Sequence, residues 1–228
     1  MSSHPLDNPV WNALDGPHRH FATRHGLAVH YARDVAAFSA IADDSAQAYA
    51  DLAHDLPAGA EARLVRHRVD ALPDGWVQVK HVPLLQMIAP KVDGQLIDGP
   101  AFATLGTTNV AAVSALIDLT QPGPFGPRTL EMGRYIGVVE DGRLLALSGE
   151  RMNLPGYVEM SAICTHPQAR GRRLAEHLVR HLMRDAAARG QVPFLHVLPD
   201  NEPAIALYER LGFVVRAQMH YLWRMPAR

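Results

Sequence analysis

The stretch that decides the fold is residues 157–175, YVEMSAICTHPQARGRRLA. Its first nine residues alternate in polarity, and the apolar positions are Val158, Met160, Ala162 and Cys164. A period of two predicts a strand with one buried, wholly apolar face and with Glu159 on its polar, exposed face. His166-Pro167 ends the strand, because the proline ring fixes φ and removes a backbone N–H group.

Beyond Gly171 the spacing becomes helical, and the apolar positions are Leu174, Ala175, Leu178, Val179, Leu182, Met183 and Ala186. This spacing predicts a helix over residues 171–189 that is packed on the sheet and stops at Gly190. The free N–H groups of its first turn, together with the helix dipole, favour an anion. A strand, a basic glycine turn and a helix therefore predict a phosphate site around Gly171.

The residues RGRRLA at 170–175 resemble the Gln/Arg-x-x-Gly-x-Gly/Ala motif of the GNAT superfamily of acetyl-CoA-dependent N-acyltransferases. Arg170 takes the first position of the motif and Ala175 the last, but Arg173 replaces a glycine, so its side chain must point away from the loop or contact a phosphate. Residues 194–213, FLHVLPDNEPAIALYERLGF, are similar to the next strand, helix and closing strand of the same superfamily. The resemblance covers residues 157–224 and extends weakly back to Gly133.

The resemblance implies an α/β (α+β) fold, in which residues 76–228 form a mixed, mostly antiparallel sheet flanked by helices. Residues 1–75 are expected to be an N-terminal extension of helices and strands, one interpretation of which is a degenerate half-domain. The implied activity is direct transfer of an acetyl group from acetyl-CoA to a primary amine, with no metal. The acceptor stays open between an amino acid, a polyamine, an antibiotic and a protein terminus.

The resemblance also implies which residues bind the cofactor, and they are Ile163, Cys164, Thr165, Arg170, Gly171, Arg172, Arg173, Leu174, Ala175, Asn201, Ala204 and Tyr208. The main-chain N–H near Ile163 would stabilise the oxyanion where the strand separates from its neighbour. Cys164 lies on the apolar face and is interpreted as a packing residue rather than a nucleophile.

Two proton carriers are expected. Glu159 stands eleven residues before Arg170, an offset that resembles that of the glutamate base in histone-type members of the superfamily. Glu131, Glu150 or water are the alternatives to Glu159 as base. Tyr208 falls where superfamily members commonly carry the tyrosine that protonates the departing thiolate, and a phenol is a suitable donor to it.

Elsewhere, periodicity and turn residues predict further elements. Strands are expected at 27–31, 62–69, 76–88 and, as a hairpin around Asp141-Gly142, at 135–140 and 143–149. Helices are expected at 35–41, at 46–56, and from a cap at Thr108 or Asn109 through Leu119. Residues 1–25 hold four of the thirteen histidines without a carboxylate at metal-ligand spacing, and are interpreted as a solvated arm.

Composition limits the other classes of function. The chain has 228 residues, of which 48% are hydrophobic, and a net charge of −1 without a basic stripe, so neither a nucleic-acid partner nor a membrane is expected. The N-terminus lacks the pattern of a signal peptide, and the single cysteine fits a cytoplasmic location. His177 and His181 stand four apart but lack a third metal ligand. A homodimer stays open, and the rival function is a catalytically silent acyl-CoA-binding sensor.

Overall fold

The computed structural model describes residues 4–227. Its helices are α1 (Pro9–Asp15), α2 (Ala46–His54), α3 (Val110–Thr120), α4 (Leu174–Ala188) and α5 (Glu202–Arg210). Its strands are β1 (Ala22–His25), β2 (Ala28–Tyr31), β3 (Ser39–Ile41), β4 (Ala62–Arg66), β5 (Trp76–Ile88), β6 (Ala103–Leu105), β7 (Tyr135–Glu140), β8 (Arg143–Leu154), β9 (Tyr157–Thr165), β10 (Val192–Val197) and β11 (Val214–Pro226).

Eight strands form the main sheet, in the order β4-β11-β5-β10-β9-β8-β7-β6. Its pairings are antiparallel except for the one between β9 and β10. The expected mixed, mostly antiparallel sheet flanked by helices is therefore confirmed. The hairpin turns at Asp141-Gly142, where both residues have positive φ, and α4 ends before Gly190 as expected.

The sheet crosses the boundary that was expected at residue 75. Strand β4 precedes that boundary, yet it pairs with β11 from Ala62 to Arg66. Strand β5 lies between β10 and β11, so the strand expected to open the second domain is central in the sheet. The separate three-stranded sheet β1-β2-β3 belongs wholly to the N-terminal part.

The two faces of the main sheet carry different cores. Leu195 packs into a cluster with α4 and α5, whereas its neighbour Phe194 packs into a cluster with α1 and the segment around β1–β3. Successive side chains of a strand point to opposite faces. The N-terminal segment therefore covers the face opposite to α4.

This arrangement corrects two expectations about the N-terminal part. Residues 4–25 are not a solvated arm, because Leu6, Val10 and Leu14 are fully buried against the sheet; residues 1–3 lie outside the described part. Residues 35–41 are not a helix either, since the chain is irregular to Phe38 and then forms β3. All three β3 residues are buried, and a fully apolar short run does not distinguish a strand from a helix.

Among residues 4–227, no helix is both long and apolar enough to cross a membrane.

Candidate active site

The two parallel strands, β9 and β10, stop pairing part-way along β9, and the interval between them beyond this point is called the β9–β10 cleft. Their pairing runs through Val192 opposite Tyr157 and Phe194 opposite Glu159, and no pair follows. Strand β9 continues for six more residues to Thr165, while β10 continues to Val197 with only its other edge paired, to β5. Backbone groups on the facing edges of the two strands are thereby left available to a ligand that enters the cleft.

A β-bulge lies in β9 beside this cleft. Ser161 pairs with Gly149 and Cys164 with Leu147, so β9 has one residue more than β8 in this interval. Ala162 takes the strained φ of 53° within the bulge. A bulge re-aims the backbone and side chains that follow it. It therefore places Ile163 in an irregular stretch at the cleft edge.

The bulge also corrects the expected wholly apolar face of β9. Val158 and Met160 pack with α4, as expected. Ala162 and Cys164 instead pack with α3, in the cluster on the opposite face. One extra residue exchanges the faces of every residue beyond it. Burial raises the pKa of the Cys164 thiol to about 11, which keeps it protonated, and this agrees with a packing role.

The basic turn between β9 and α4 has the shape that an anion site needs. Gly171 has a φ of 80°, and a Cβ added there would contact nothing within 4 Å. Arg170 and Arg172 are exposed, and the Arg172 guanidinium reaches Glu140 at 2.9 Å. The free N–H groups of the first turn of α4 follow directly. Backbone donors and the exposed Arg170 thus follow one another in this turn, while Arg172 is paired with Glu140.

Arg173, at the position where the superfamily motif has glycine, adopts a left-handed conformation with a φ of 57°. That conformation is one that glycine adopts without strain. Its side chain turns along α4, where Nη2 lies 2.8 Å from Oε1 of Glu176. The side chain therefore points away from the loop, one of the two options that the sequence left open.

Helix α5 presents Tyr208 from the α4 side of the sheet. Asn201 caps the helix, and its Oδ1 accepts from the N–H of Ala204 at 3.3 Å. Tyr208 belongs to the α4 core and makes an edge contact with Phe213, with ring centroids 5.9 Å apart. Burial raises the pKa of Tyr208 to about 12, so the phenol stays protonated at neutral pH.

Glu159 is not exposed, contrary to expectation. It is 0% exposed and its two oxygens accept from Nε and Nη2 of Arg151 at 2.8 and 2.7 Å. Burial raises its pKa, but the ion pair with Arg151 and a hydrogen bond from His196 more than offset this and lower the pKa to about 2. The N-terminal segment covers the face of β9 that the alternation predicted to be exposed to solvent. The polarity pattern therefore distinguished the two faces of the strand but did not show what covers each of them.

A chain of hydrogen bonds connects Glu159 to the N-terminal segment. Arg216, which can only donate, bonds Oε1 of Gln86 at 2.6 Å and so orients the Gln86 amide group. Nε2 of Gln86 then donates to Nε2 of His196 at 3.0 Å. The remaining His196 hydrogen is on Nδ1, which donates to Glu159 at 2.8 Å. His196 is therefore neutral, with its lone pair on Nε2.

His196 was missed in the sequence, although a signal for it exists. It stands two residues after Phe194, which pairs with Glu159, so it lies on the same face of β10 as Phe194.

Among the alternative bases, Glu131 is held by Arg128 at 2.6 Å and Glu150 by Arg189 at 2.6 Å. Each of these carboxylates is thus already paired.

His177 is buried, with its Nδ1 3.2 Å from the carbonyl oxygen of Ile97 and its Nε2 3.1 Å from that of Pro100. Both ring nitrogens are occupied by the loop before β6. The ring of His181 lies 4.8 Å away, centroid to centroid. The pair therefore fastens a loop to α4, in line with the packing role expected for it.

We expect the Glu159 carboxylate to make the protein acid-sensitive. Its folded pKa of about 2 lies below its ordinary value of 4.5, so its stabilising contribution is full above pH 4.5 and is lost as the pH falls towards 2. Urea unfolding measured across this range will show a steeper pH dependence for the wild type than for Glu159→Gln. Equal slopes for the two proteins would contradict the low pKa.

Comparisons with known proteins agree with this geometry. Residues 135–223 match the FR47-like protein family. A solved structure from Novosphingobium aromaticivorans, assigned to the GNAT family of acetyltransferases, is 39% identical, with a TM-score of 0.90 over 99% of this chain and 100% of that chain. The chain belongs to the GNAT family.

Two further GNAT relatives are more distant. The N-alpha-acetyltransferase RimI of Mycobacterium tuberculosis is 35% identical over 82 residues, which are 35% of this chain. The chain spans about half of that curated relative, 51% of its length. A GCN5-related N-acetyltransferase from Kribbella flavida is 19% identical, with a TM-score of 0.62 over 93% of both chains, and supports the fold alone. The similarity to the Novosphingobium protein, which covers 99% of this chain, includes the N-terminal part.

Proposed function

We propose that the protein transfers an acetyl group from acetyl-CoA directly to a primary amine. The observation that carries this proposal is the cleft between β9 and β10, which opens after Glu159 and Phe194 beside the Gly171 turn. A narrow gap with unpaired strand edges suits the extended, amide-containing pantetheine chain, and the turn suits its pyrophosphate.

Different residues around the cleft would bind different parts of the cofactor. Gly171 and the first turn of α4 would hold the pyrophosphate through backbone N–H groups, with Arg170 and Arg172 adding positive charge. The edge of β9 from Ile163 to Thr165 would bond the pantetheine amides, and Asn201 and Ala204 would border it from α5. The N–H of Ile163 is the proposed oxyanion donor.

Proton removal from the acceptor requires a base that is free at neutral pH. Glu159 is ionised but engaged by Arg151, so we place the accepting atom on His196, at Nε2, whose lone pair faces the Gln86 amide. The Gln86 amide would give way to the ammonium group or to a water. Glu159 then orients the ring and stabilises the imidazolium that forms.

Departure of the thiolate requires an acid, and Tyr208 is proposed for it. Its raised pKa of about 12 means that it carries the proton and loses it only to a strong base such as a thiolate held near it. Tyr208 and the pair formed by Glu159 and His196 belong to opposite faces of the sheet. The acid and the base would therefore reach the cleft from different faces of the sheet.

The test is release of free coenzyme A thiol from acetyl-CoA in a panel of amines. The name of the mycobacterial relative makes an α-amine the first acceptor class to test, followed by polyamines and aminoglycoside antibiotics. Amine-dependent thiol release supports the proposal. Binding of acetyl-CoA without release for any amine would point instead to the sensor.

Gly171→Val should abolish the stabilisation that coenzyme A gives. Valine at a φ of 80° is strained, so the turn must move away from the phosphate. At about a hundredfold excess over the dissociation constant, coenzyme A should stabilise the wild type by about 2.7 kcal/mol, measured as a melting shift. Gly156→Val is the control, because Gly156 also has a positive φ, 78°, and open space, but lies at the other end of β9. A full melting shift in Gly171→Val would place the phosphate elsewhere.

A further inference from the structure

Two histidines and an aspartate from distant parts of the chain meet at the surface of the N-terminal part. His25 ends β1, His54 ends α2, and Asp55 follows it. One potential ligand atom from each lies within 4.8 Å of the others. The two imidazole rings are stacked, with centroids 3.7 Å apart and planes 7° from parallel, and Nδ1 of His54 is 3.0 Å from Oδ1 of Asp55.

A second carboxylate of this region fixes the strand to the helix. Asp51 is buried, and its Oδ2 accepts from the N–H of Leu27 in the β1–β2 turn at 2.7 Å. Its Oδ1 lies 4.0 Å from Nε2 of His25. Positions 51, 54 and 55 have the three- and four-residue spacing of one helix face. The helix face and the strand end therefore converge in a defined register.

The charge of the cluster favours a cation. Both oxygens of Asp51 accept hydrogen bonds, Oδ2 from the N–H of Leu27 and Oδ1 from Nε2 of Gln47, so this carboxylate is held in place. Asp55 adds a second carboxylate. Both His54 and Asp55 stand at the C-terminal end of α2, where the helix dipole is negative.

We propose that His25, His54 and Asp55 bind one divalent zinc-like ion, with the Asp51 carboxylate adding negative charge beside His25. Imidazole and carboxylate donors suit zinc, which forms bonds of about 2.0–2.2 Å to them, so tetrahedral ligand atoms stand about 3.4 Å apart. The present ligand atoms lie within 4.8 Å of one another, so the half-exposed His25 ring and the exposed His54 ring must rotate to reach that spacing.

A cavity of about 580 Å³ adjoins the site, and Asp55 and Thr23 of β1 are among its lining residues. An ion bound by Asp55 would lie near the rim of that cavity. Water or a carboxylate of a small molecule would complete its coordination, as in zinc sites that leave one position open. The three ligands lie on β1 and at the end of α2, outside β9 and β10.

The sequence did not reveal this site because the ligands are 29 residues apart. His25 stands among the other histidines of residues 1–25, and its helix partners are brought to it only by the packing of α2 on β1 and β2.

The first measurement is a titration of the chelator-treated full chain with Co²⁺, monitored by the visible absorption of the bound ion. One equivalent should bind with the intense spectrum of a four-coordinate ion, and Zn²⁺ should displace it.

His25→Ala and His54→Ala should each weaken Co²⁺ and Zn²⁺ binding by about tenfold or more. The control is His81→Ala. His81 and His220 form another close pair, with ring nitrogens 2.9 Å apart, but no carboxylate pairs with either ring in the described residues. Unchanged binding in His25→Ala, or its loss in His81→Ala, would overturn the proposal.

Discussion

Glu159→Gln will lower the free energy of unfolding by about 3–5 kcal/mol, because it leaves the Arg151 guanidinium as an unpaired charge in a buried site. Arg151 has only 12% of its side chain exposed and donates two hydrogen bonds to Glu159. The glutamine can accept one of them. Urea unfolding monitored by fluorescence will measure the loss, and turnover will fall as well, since His196 loses the carboxylate that stabilises its charged form.

Glu159→Gln is expected to change both the stability and the turnover, and a second variant separates the two effects. In Glu159→Leu/Arg151→Met both charges are absent, so no stranded charge remains and most of the stability should return. Turnover should stay low, and the acidic limb of the pH–rate profile should shift or vanish because the base no longer has its carboxylate. Affinity for acetyl-CoA should change little.

The double variant also decides between the two roles of Glu159. If its turnover equals that of the wild type once stability is restored, the ion pair only bridges β8 and β9, and another group or water removes the proton.

His196→Asn tests the role of the next residue in the chain of hydrogen bonds. Asparagine keeps a polar partner for Gln86 and removes the basic nitrogen, so it should lower turnover without the large loss of stability.

The local patterns in the sequence were sufficient for the central elements of the fold. Strict alternation predicted β9 with its observed ends, and the spacing after Gly171 predicted α4. These patterns arise because the residues that face a core are apolar, so the spacing of apolar residues shows directly in the sequence. The prediction of a phosphate turn depended on the order of strand, glycine and helix, which is local as well.

The bulge at Ala162 could not be predicted, because nothing in the polarity of residues 161–165 marks the insertion of a residue. Ala162 and Cys164 are apolar on either face, and only the pairing with β8 shows which face they occupy. The burial of Glu159 depended on the N-terminal segment, whose Leu6 carbonyl receives the Gln86 amide. Contacts between residues 80 positions apart leave no periodic signal in the sequence.

Tyr208→Phe is expected to slow turnover by about 10–1,000-fold while leaving the fold intact. Phenylalanine keeps the ring that packs in the α4 core and contacts Phe213, so only the hydroxyl is lost. Steady-state rates at saturating acetyl-CoA will measure the effect, and thermal melting will check the fold. Tyr157→Phe is the matched control, because its hydroxyl bonds His4 at 3.2 Å at the opposite end of β9 from the turn.

The size of the Tyr208→Phe effect should depend on the leaving group. A general acid matters most when the departing thiolate is strongly basic, so an acetyl thioester of an acidic aromatic thiol should narrow the difference between wild type and variant. A packing role predicts the same loss for both donors. If the variant turns over acetyl-CoA at the wild-type rate while chemistry limits the reaction, water protonates the thiolate, and Tyr208 serves only to pack α5 against the sheet.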